Sequence, residues 1–328
     1  MILVTGGAGY IGSHTVLQLR ERGAEVLVLD DLSEGHRDAL LGADLVEGST
    51  MDRAFLERVF AEHSIDAVCH FAARCYVGES VRDPGQYYRN NVVGTLNLLE
   101  ACVAAGVTRF VFSSTCATYG EPPAVPIVET MPQAPINPYG ETKLVCERML
   151  RDLQRAHGLH SVSLRYFNAA GADPEGRIGE DHDPETHLIP LVLGAATGRR
   201  PALTVFGDDY PTPDGSCIRD YVHVTDLAEA HVLALEAMAG GLTGARAFNL
   251  GSEAGNSVLE VIRAAEQVTG RSVPYSVGPR RAGDPPVLVG SPAKITAELG
   301  WRPRFADIHA VLETAWRWHR DHPDGFVA

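Results

Sequence analysis

Tyr139 and Lys143 stand four residues apart in the run Asn137-Pro138-Tyr139-Gly140-Glu141-Thr142-Lys143. On a helix that spacing puts a phenol and an ammonium on one face, one turn apart. A phenol titrating near ~10 is a poor base at neutral pH. An adjacent ammonium stabilises the phenolate and draws the group toward a working range, so the pair reads as a proton-transfer device. Further hydroxyls come from Ser113-Ser114-Thr115, which follow the apolar run Phe110–Phe112 and so lie at the carboxyl end of a strand. Open α/β sheets bind their ligands there.

The chain opens on a second signal. Thr5-Gly6-Gly7-Ala8-Gly9-Tyr10-Ile11-Gly12 satisfies G-x-x-G-x-x-G from Gly6 and G-x-G-x-x-G from Gly7. Missing Cβ atoms let the turn tighten, let backbone approach a pyrophosphate, and let a helix start close to its strand with its dipole toward the phosphates. Asp30 directly follows the apolar run Glu25–Leu29. Its carboxylate is placed to accept hydrogen bonds from an adenosine ribose and would repel a 2′-phosphate, so NAD is expected rather than NADP. The positive nicotinamide nearby would join the Lys143 ammonium in bringing the Tyr139 phenol toward a working range.

These groups need a scaffold, and the hydrophobic pattern supplies one. Short β-branched runs at Ile2–Thr5, Glu25–Leu29, Ala67–Phe71, Phe110–Ser113 and Ser161–Tyr166 alternate with helix-length segments at Ile11–Arg22, Asn90–Ala105 and Tyr139–His157. The alternation predicts right-handed crossovers and an α/β fold, a Rossmann-type doubly wound parallel sheet. After Asn168, Gly/Pro-rich turns at 170–177, 207–215 and 278–286 interrupt shorter elements, which predicts a smaller, mixed α/β lobe. The expected division is 1–167 for NAD binding and 168–328 for the substrate lobe, with short segments near Asp220–Val224 or Ala247–Gly251 crossing back.

Composition narrows the partners. At 328 residues, 45% hydrophobic and 21% charged, the chain suits a globular protein, and Pro190 interrupts the apolar stretch Leu188–Leu193, so no membrane span is expected. A net charge of −14 repels nucleic acid and anionic membranes, so any anionic substrate must meet local cations. The six cysteines include no C-x-x-C pair, and the thirteen histidines include no i,i+4 pair with an accompanying acid, so no disulfide framework and no metal are assigned. Met1–Thr5 already reads as a strand, leaving no secretory n- and h-regions, and a cytoplasmic location is expected.

Longer stretches carry a family resemblance. They are VTGGAGYIGSH at the start, HFAA…VGES at 70–80, YYRNNVVGT at 87–95, NPYGETK at 137–143, RYFNAAG at 165–171, VFGDDYPTPDGSCIRDYVHVTDLA at 205–228 and PRRAGDP at 279–285. Over nearly its whole length the sequence resembles the extended, nucleotide-sugar branch of the short-chain dehydrogenase/reductase superfamily, and within it the UDP-galactose 4-epimerase family. The resemblance implies that Thr115, Tyr139 and Lys143 are catalytic. It implies that NAD is held by Gly6, Gly9, Tyr10, Ile11, Gly12, Asp30, Asp31, Ser49, Thr50, Phe71, Ala72, Ala73, Asn90 and Phe167, with Tyr139 and Lys143. The UDP-hexose would be held by Thr115, Asn168, His187, Leu188, Thr204, Phe206, Arg219, Tyr221, Arg281, Asp284 and Leu288. Arg219 and Arg281 would supply the local cations, as guanidinium forks on a diphosphate. Ser49, Cys75 and His187 depart from the aspartate, lysine and asparagine frequent in the family.

The implied reaction interconverts UDP-galactose and UDP-glucose. The 4-OH proton passes to Tyr139 while the C4 hydride passes to NAD; the 4-keto sugar then turns, and hydride returns to the other face. Leu288 implies space for a 2-acetamido group and slower action on UDP-N-acetylglucosamine and UDP-N-acetylgalactosamine. A homodimer pairing the helices around Asn91–Ala105 and Tyr139–His157 is also implied. Cys116-Ala117-Thr118-Tyr119 offers no carboxylate beside Thr115, which disfavours dehydration. A UDP-glucuronate 4-epimerase, and more remotely a non-catalytic NAD-binding sensor, share the remaining features.

Overall fold

Leu3, Leu27, Leu29, Val68, Phe110 and Phe112 lie buried on one side of a sheet, and Val4, Val26, Val28, Ala67, Cys69 and Val111 on the other. A sheet apolar on both faces at a period of two must be covered twice. The computed structural model, which describes residues 1–281 and 284–326, satisfies this with seven strands. They are β1 (Ile2–Thr5), β2 (Val26–Asp30), β3 (Asp44–Glu47), β4 (Ala67–His70), β5 (Arg109–Thr115), β6 (His160–Tyr166) and β7 (Ala245–Leu250). Their order is β7-β6-β5-β4-β1-β2-β3, and every neighbouring pair is parallel.

One face is covered by the helices Tyr10–Glu21 and Val224–Ala239, through Val16, Leu19, Leu227 and Ala230. The other is covered by Arg53–Glu62, Gly94–Ala104 and Pro138–His157, through Leu56, Leu98, Cys146 and Leu150. This is the doubly wound Rossmann-type architecture. The strand order reverses between β1 and β4, which opens the crevice where such folds bind nucleotides.

Two features differ from the pattern read in the sequence. β3 and the Arg53–Glu62 helix add a β-α step; Asp44–Glu47 is a half-exposed edge strand, so it lacks the continuous apolar run of a buried one. The expected Asn90–Ala105 helix is a π-helical turn, Tyr88–Val93, running into Gly94–Ala104. The seventh strand comes from beyond residue 167, where the Val224–Ala239 helix and β7 return to the sheet.

The remaining chain forms the smaller lobe. The helices Leu188–Ala196, Val258–Thr269 and Ile308–Asp321 share a core around Val192, Val261, Leu312 and Val205. Its strands are short: Leu203–Phe206 pairs with Tyr275–Gly278, Ile218–Arg219 lies between Asn256–Ser257 and Val287–Leu288, and Asn168–Ala170 pairs with Tyr221–His223. Among the described residues, no helix is long and apolar enough to cross a membrane.

Candidate active site

The turn after β1 is packed from two sides. A Cβ on Gly12 would lie 2.1 Å from the Gly6 carbonyl oxygen, and one on Gly6 would lie 2.4 Å from the Ala72 nitrogen. Gly6 and Gly12 therefore hold the turn against the helix and against the exit of β4. A Cβ on Gly9 meets nothing nearer than 3.5 Å. Gly9 also gives the Tyr10–Glu21 helix no side-chain cap, which leaves open space at a helix N-terminus of the kind a pyrophosphate fills.

Asp30 is buried beside this turn and accepts from the amides of Ala8 and Leu32, both at 2.9 Å. Burial raises its carboxyl pKa against the pull of those amides. Asp31 is exposed and accepts from the Ser33 amide and hydroxyl. Phe71 and Ala72 donate their amides to Thr5, and the Phe71 ring lies 4.5 Å from that of His231. Ile11 and Ala73 are half-buried at the two sides of the turn. The Tyr10 hydroxyl donates to the Gly171 carbonyl at 2.6 Å, tying the turn to the smaller lobe. Farther out, the Ser49 hydroxyl accepts from the Met51 amide, Thr50 is buried, and Asn90 lies in the π-helical turn with its amide on Asn91. Phe167 is buried against Gly290. The open space at Gly9 and the fixed acceptor at Asp30 fit a dinucleotide.

The catalytic candidates converge at the end of β5. Asn137 caps the Pro138–His157 helix by accepting from the Gly140 amide at 2.8 Å, and Pro138 occupies its first turn. A Cβ on Gly140 would lie 2.5 Å from the Ala117 carbonyl oxygen. That close approach brings Tyr139 beside Thr115, whose hydroxyl accepts from the Ala117 amide at 3.1 Å. Lys143 donates to the Ser113 carbonyl at 2.9 Å and lies over the Phe112 ring.

Burial dominates the electrostatics of the pair. Burial pushes the Tyr139 phenol well above its usual range, Tyr166 and Cys75 press the same way, and the Thr115 hydroxyl pulls it back. Burial also lowers the Lys143 ammonium to about 8. Desolvation, which disfavours the phenolate, outweighs the neighbouring ammonium in the protein alone.

Buried polar contacts absent from the sequence reading hold these groups. Ser114 donates to Glu147 at 2.7 Å, and Arg165 forks onto the same carboxylate at 2.6 and 2.9 Å. Arg165 also reaches the Tyr119 hydroxyl, which donates to Asn249. Burial pushes Glu147 up, but Arg165 overrides it and holds the carboxyl below its ordinary range. Asn91 ties Thr142 to the Arg74 backbone, and His70 bridges Thr5 and Thr95. Burial lowers His70 to about 3, so it is neutral. The available signal was Glu147, four residues after Lys143 and so on the same buried helix face.

The candidate substrate residues gather on the short strands of the smaller lobe. Arg219 is hydrogen-bonded to Asp284, so this guanidinium is partly occupied rather than free. Arg281 is exposed, with its guanidinium 4.0 Å from the centre of the Phe206 ring; Thr204 lies on the same side of that strand. Leu288 pairs with Arg219 in register and packs toward Tyr119, Ile127 and Phe167. Asn168 is exposed opposite buried Tyr221. His187 and Leu188 begin the Leu188–Ala196 helix, and the His187 ring meets Glu180.

The sequence profile of the NAD dependent epimerase/dehydratase family matches residues 2–251. The chain is 55% identical over 326 residues to a UDP-glucose 4-epimerase of Halalkalibacterium halodurans, covering 99% of this chain and 97% of the relative. It is 53% identical over 326 residues to one of Lacticaseibacillus casei, covering 99% and 98%. A crystal structure of the Brucella ovis UDP-glucose 4-epimerase in complex with NAD superposes with a TM-score of 0.94 at 52% identity, over 96% of this chain and 97% of that one. With the glycine turn, the buried Asp30 beside it and the Thr-Tyr-Lys set already in place, the match over residues 2–251 makes this chain a member of the NAD dependent epimerase/dehydratase family.

Proposed function

We propose that this chain interconverts UDP-galactose and UDP-glucose, with NAD held in the crevice between the strand ends. The convergence of Thr115, Tyr139 and Lys143 opposite the glycine turn carries the reading. NAD, when bound, accepts the hydride from sugar C4 and returns it, and its positive ring favours the phenolate that burial opposes. Tyr139 takes the 4-OH proton and gives it back, Thr115 orients the hydroxyl, and Lys143 fixes the phenol's surroundings through Ser113. Arg219, Arg281 and Phe206 grip the uridine diphosphate, so binding energy anchors one end of the substrate while the sugar turns.

The reading extends to the chain's organisation. Residues 1–167 form the NAD-binding part, and 168–328 the UDP-sugar lobe from which the segment Val224–Leu250 returns. Leu288 borders the sugar and leaves room for a 2-acetamido group. Val81, Tyr88, Val93 and Leu96, exposed along the neighbouring helices, support a homodimer through that face. Free cysteines among the described residues support a reducing cytoplasm. The test is incubation of the purified protein with UDP-galactose and no added NAD. UDP-glucose formation is expected, and turnover of UDP-glucuronate alone would overturn the assignment.

A further inference from the structure

The loop from Glu180 to His187 gathers four groups that the mechanism does not use together. Ligand atoms of Glu180, His182, Glu185 and His187 all lie within 4.8 Å of one another. The His187 Nδ1 is 2.5 Å from Glu180 Oε1 and 3.7 Å from Glu185 Oε1; the His182 Nδ1 is 3.3 Å from Glu180 Oε1 and 3.6 Å from Glu185 Oε2. The His182 Nδ1 is sealed from solvent yet has hydrogen-bonding geometry to neither carboxylate. Glu180 is itself buried, with 3% of its side chain exposed.

We propose that Glu180, His182, Glu185 and His187 form a binding site for a divalent transition metal, with zinc the ion this donor set suits. Two imidazoles and two carboxylates are ligands for zinc, whereas magnesium and calcium favour oxygen alone. Zinc–ligand bonds of ~2.0–2.2 Å in a tetrahedron place the donors about 3.3–3.6 Å apart. Three of the four histidine–carboxylate separations, counted to the nearer Glu185 oxygen for each ring, lie near that value, the His187–Glu180 contact must open to reach it, and all the donors lie within 4.8 Å of one another. Binding releases any Nδ1 protons of the two rings to solvent, because imidazole ligates only through a deprotonated nitrogen.

A cavity of about 280 Å³ borders Glu180, His182 and Glu185 and gives an ion a way in. With four protein ligands the site is closed, which assigns the ion a structural role. It would fix the loop that carries His187, whose Glu180 carbonyl accepts from Trp318 and whose Asp181 accepts from the Phe326 amide. The sequence reading assigned no metal because it sought histidines at i,i+4. Here the spacing is Glu-x-His-x-x-Glu-x-His, and only the folding of the loop brings the ligands together.

The inference stands apart from the epimerase reading and is tested without an activity assay. Tag-free full-length protein is stripped with chelator, equilibrated with zinc chloride, desalted and analysed for metal; cobalt chloride gives a parallel optical readout. The expected result is about one zinc per chain, a rise in Tm, and the visible absorption of four-coordinate cobalt. Glu185→Gln and His182→Asn should lose all three, while melting as the stripped wild type does in chelator. If one variant fails to fold, His187→Asn, at a more exposed position, serves in its place. Less than stoichiometric zinc in the wild type, or equal retention by the variants, overturns the proposal.

Discussion

Thr115, Tyr139 and Lys143 stand on a seven-residue strand and a twenty-residue helix, whereas Phe206, Arg219 and Leu288 stand on strands of two to four residues. The first group is held from behind by the buried Ser114–Glu147–Arg165–Tyr119 chain of hydrogen bonds. The second is held at the surface of the cleft by an ion pair and a ring stacked on a guanidinium. In the proposed reaction the first group does the chemistry, which needs atoms fixed to fractions of an ångström, and continuous secondary structure and buried charge supply that. The second group is proposed to hold the nucleotide, which needs only a charged, aromatic grip that short strands can carry.

The contrast is tested first on the rigid side. Tyr139→Phe removes only the proton-transfer oxygen, so turnover should fall ~10²–10⁴-fold with NAD content and thermal stability nearly unchanged. Turnover within a few-fold of wild type would remove Tyr139 from the mechanism. Glu147→Ala leaves Arg165 buried without its carboxylate and should cost about 3–5 kcal/mol of stability by denaturant titration, because an uncompensated buried charge is left behind. The pair's contribution is present above the usual carboxyl range. It is lost as pH falls through the depressed folded pKa of Glu147, so the difference between wild type and Glu147→Ala should shrink in acid.

The pH profile probes the same side. Lys143 is lowered to about 8, so kcat should decline as pH rises above that value and the ammonium is lost. Stability moves the other way. Below about 8 the lysine is charged in both states and the folded state bears its burial cost; between about 8 and the ordinary lysine range only the folded state releases the proton, which relieves that cost. A kcat flat to pH 10 would separate Lys143 from the reaction.

Smaller effects are expected on the nucleotide side. Arg281→Ala should raise KM for the UDP-sugar about tenfold and leave kcat nearly intact, since it removes a contact made equally before and during the chemistry. An equal fall in kcat would place Arg281 with the rigid group. Leu288→Tyr should lower turnover of UDP-N-acetylglucosamine selectively, by about a few-fold relative to UDP-galactose in paired assays. Equal losses on both substrates would mean that the tyrosine disturbs the packing against Phe167.

The same contrast governs what could be read from the chain. β1, β2, β4 and β5 are legible because both faces are buried, leaving Val26–Leu29 or Phe110–Phe112 as unbroken apolar runs; β6 shows instead as the alternation Val162, Leu164, Tyr166, and the glycine turn and Tyr139/Lys143 have fixed spacing. β3 was hidden because one half-exposed edge strand has no such run. Arg219–Asp284, Glu147–Arg165 and the Glu180–His187 cluster were hidden because their partners meet only through long-range packing or loop folding; spacing alone does not encode them. The opposing burial of the phenol was hidden for a related reason: sequence places the ammonium but not the depth at which Tyr139 sits.

In the proposed reaction the C4 hydride leaves and returns within one active site while the 4-oxygen stays on the carbon, with no net redox change. It is tested most directly by giving the purified protein UDP-galactose deuterated at C4, with no NAD added, and following the C4 label by NMR. The account predicts an equilibrium mixture with UDP-glucose in which deuterium stays on C4. UDP-glucose that has lost its deuterium to solvent, or no UDP-glucose at all from protein that carries NAD, would contradict it.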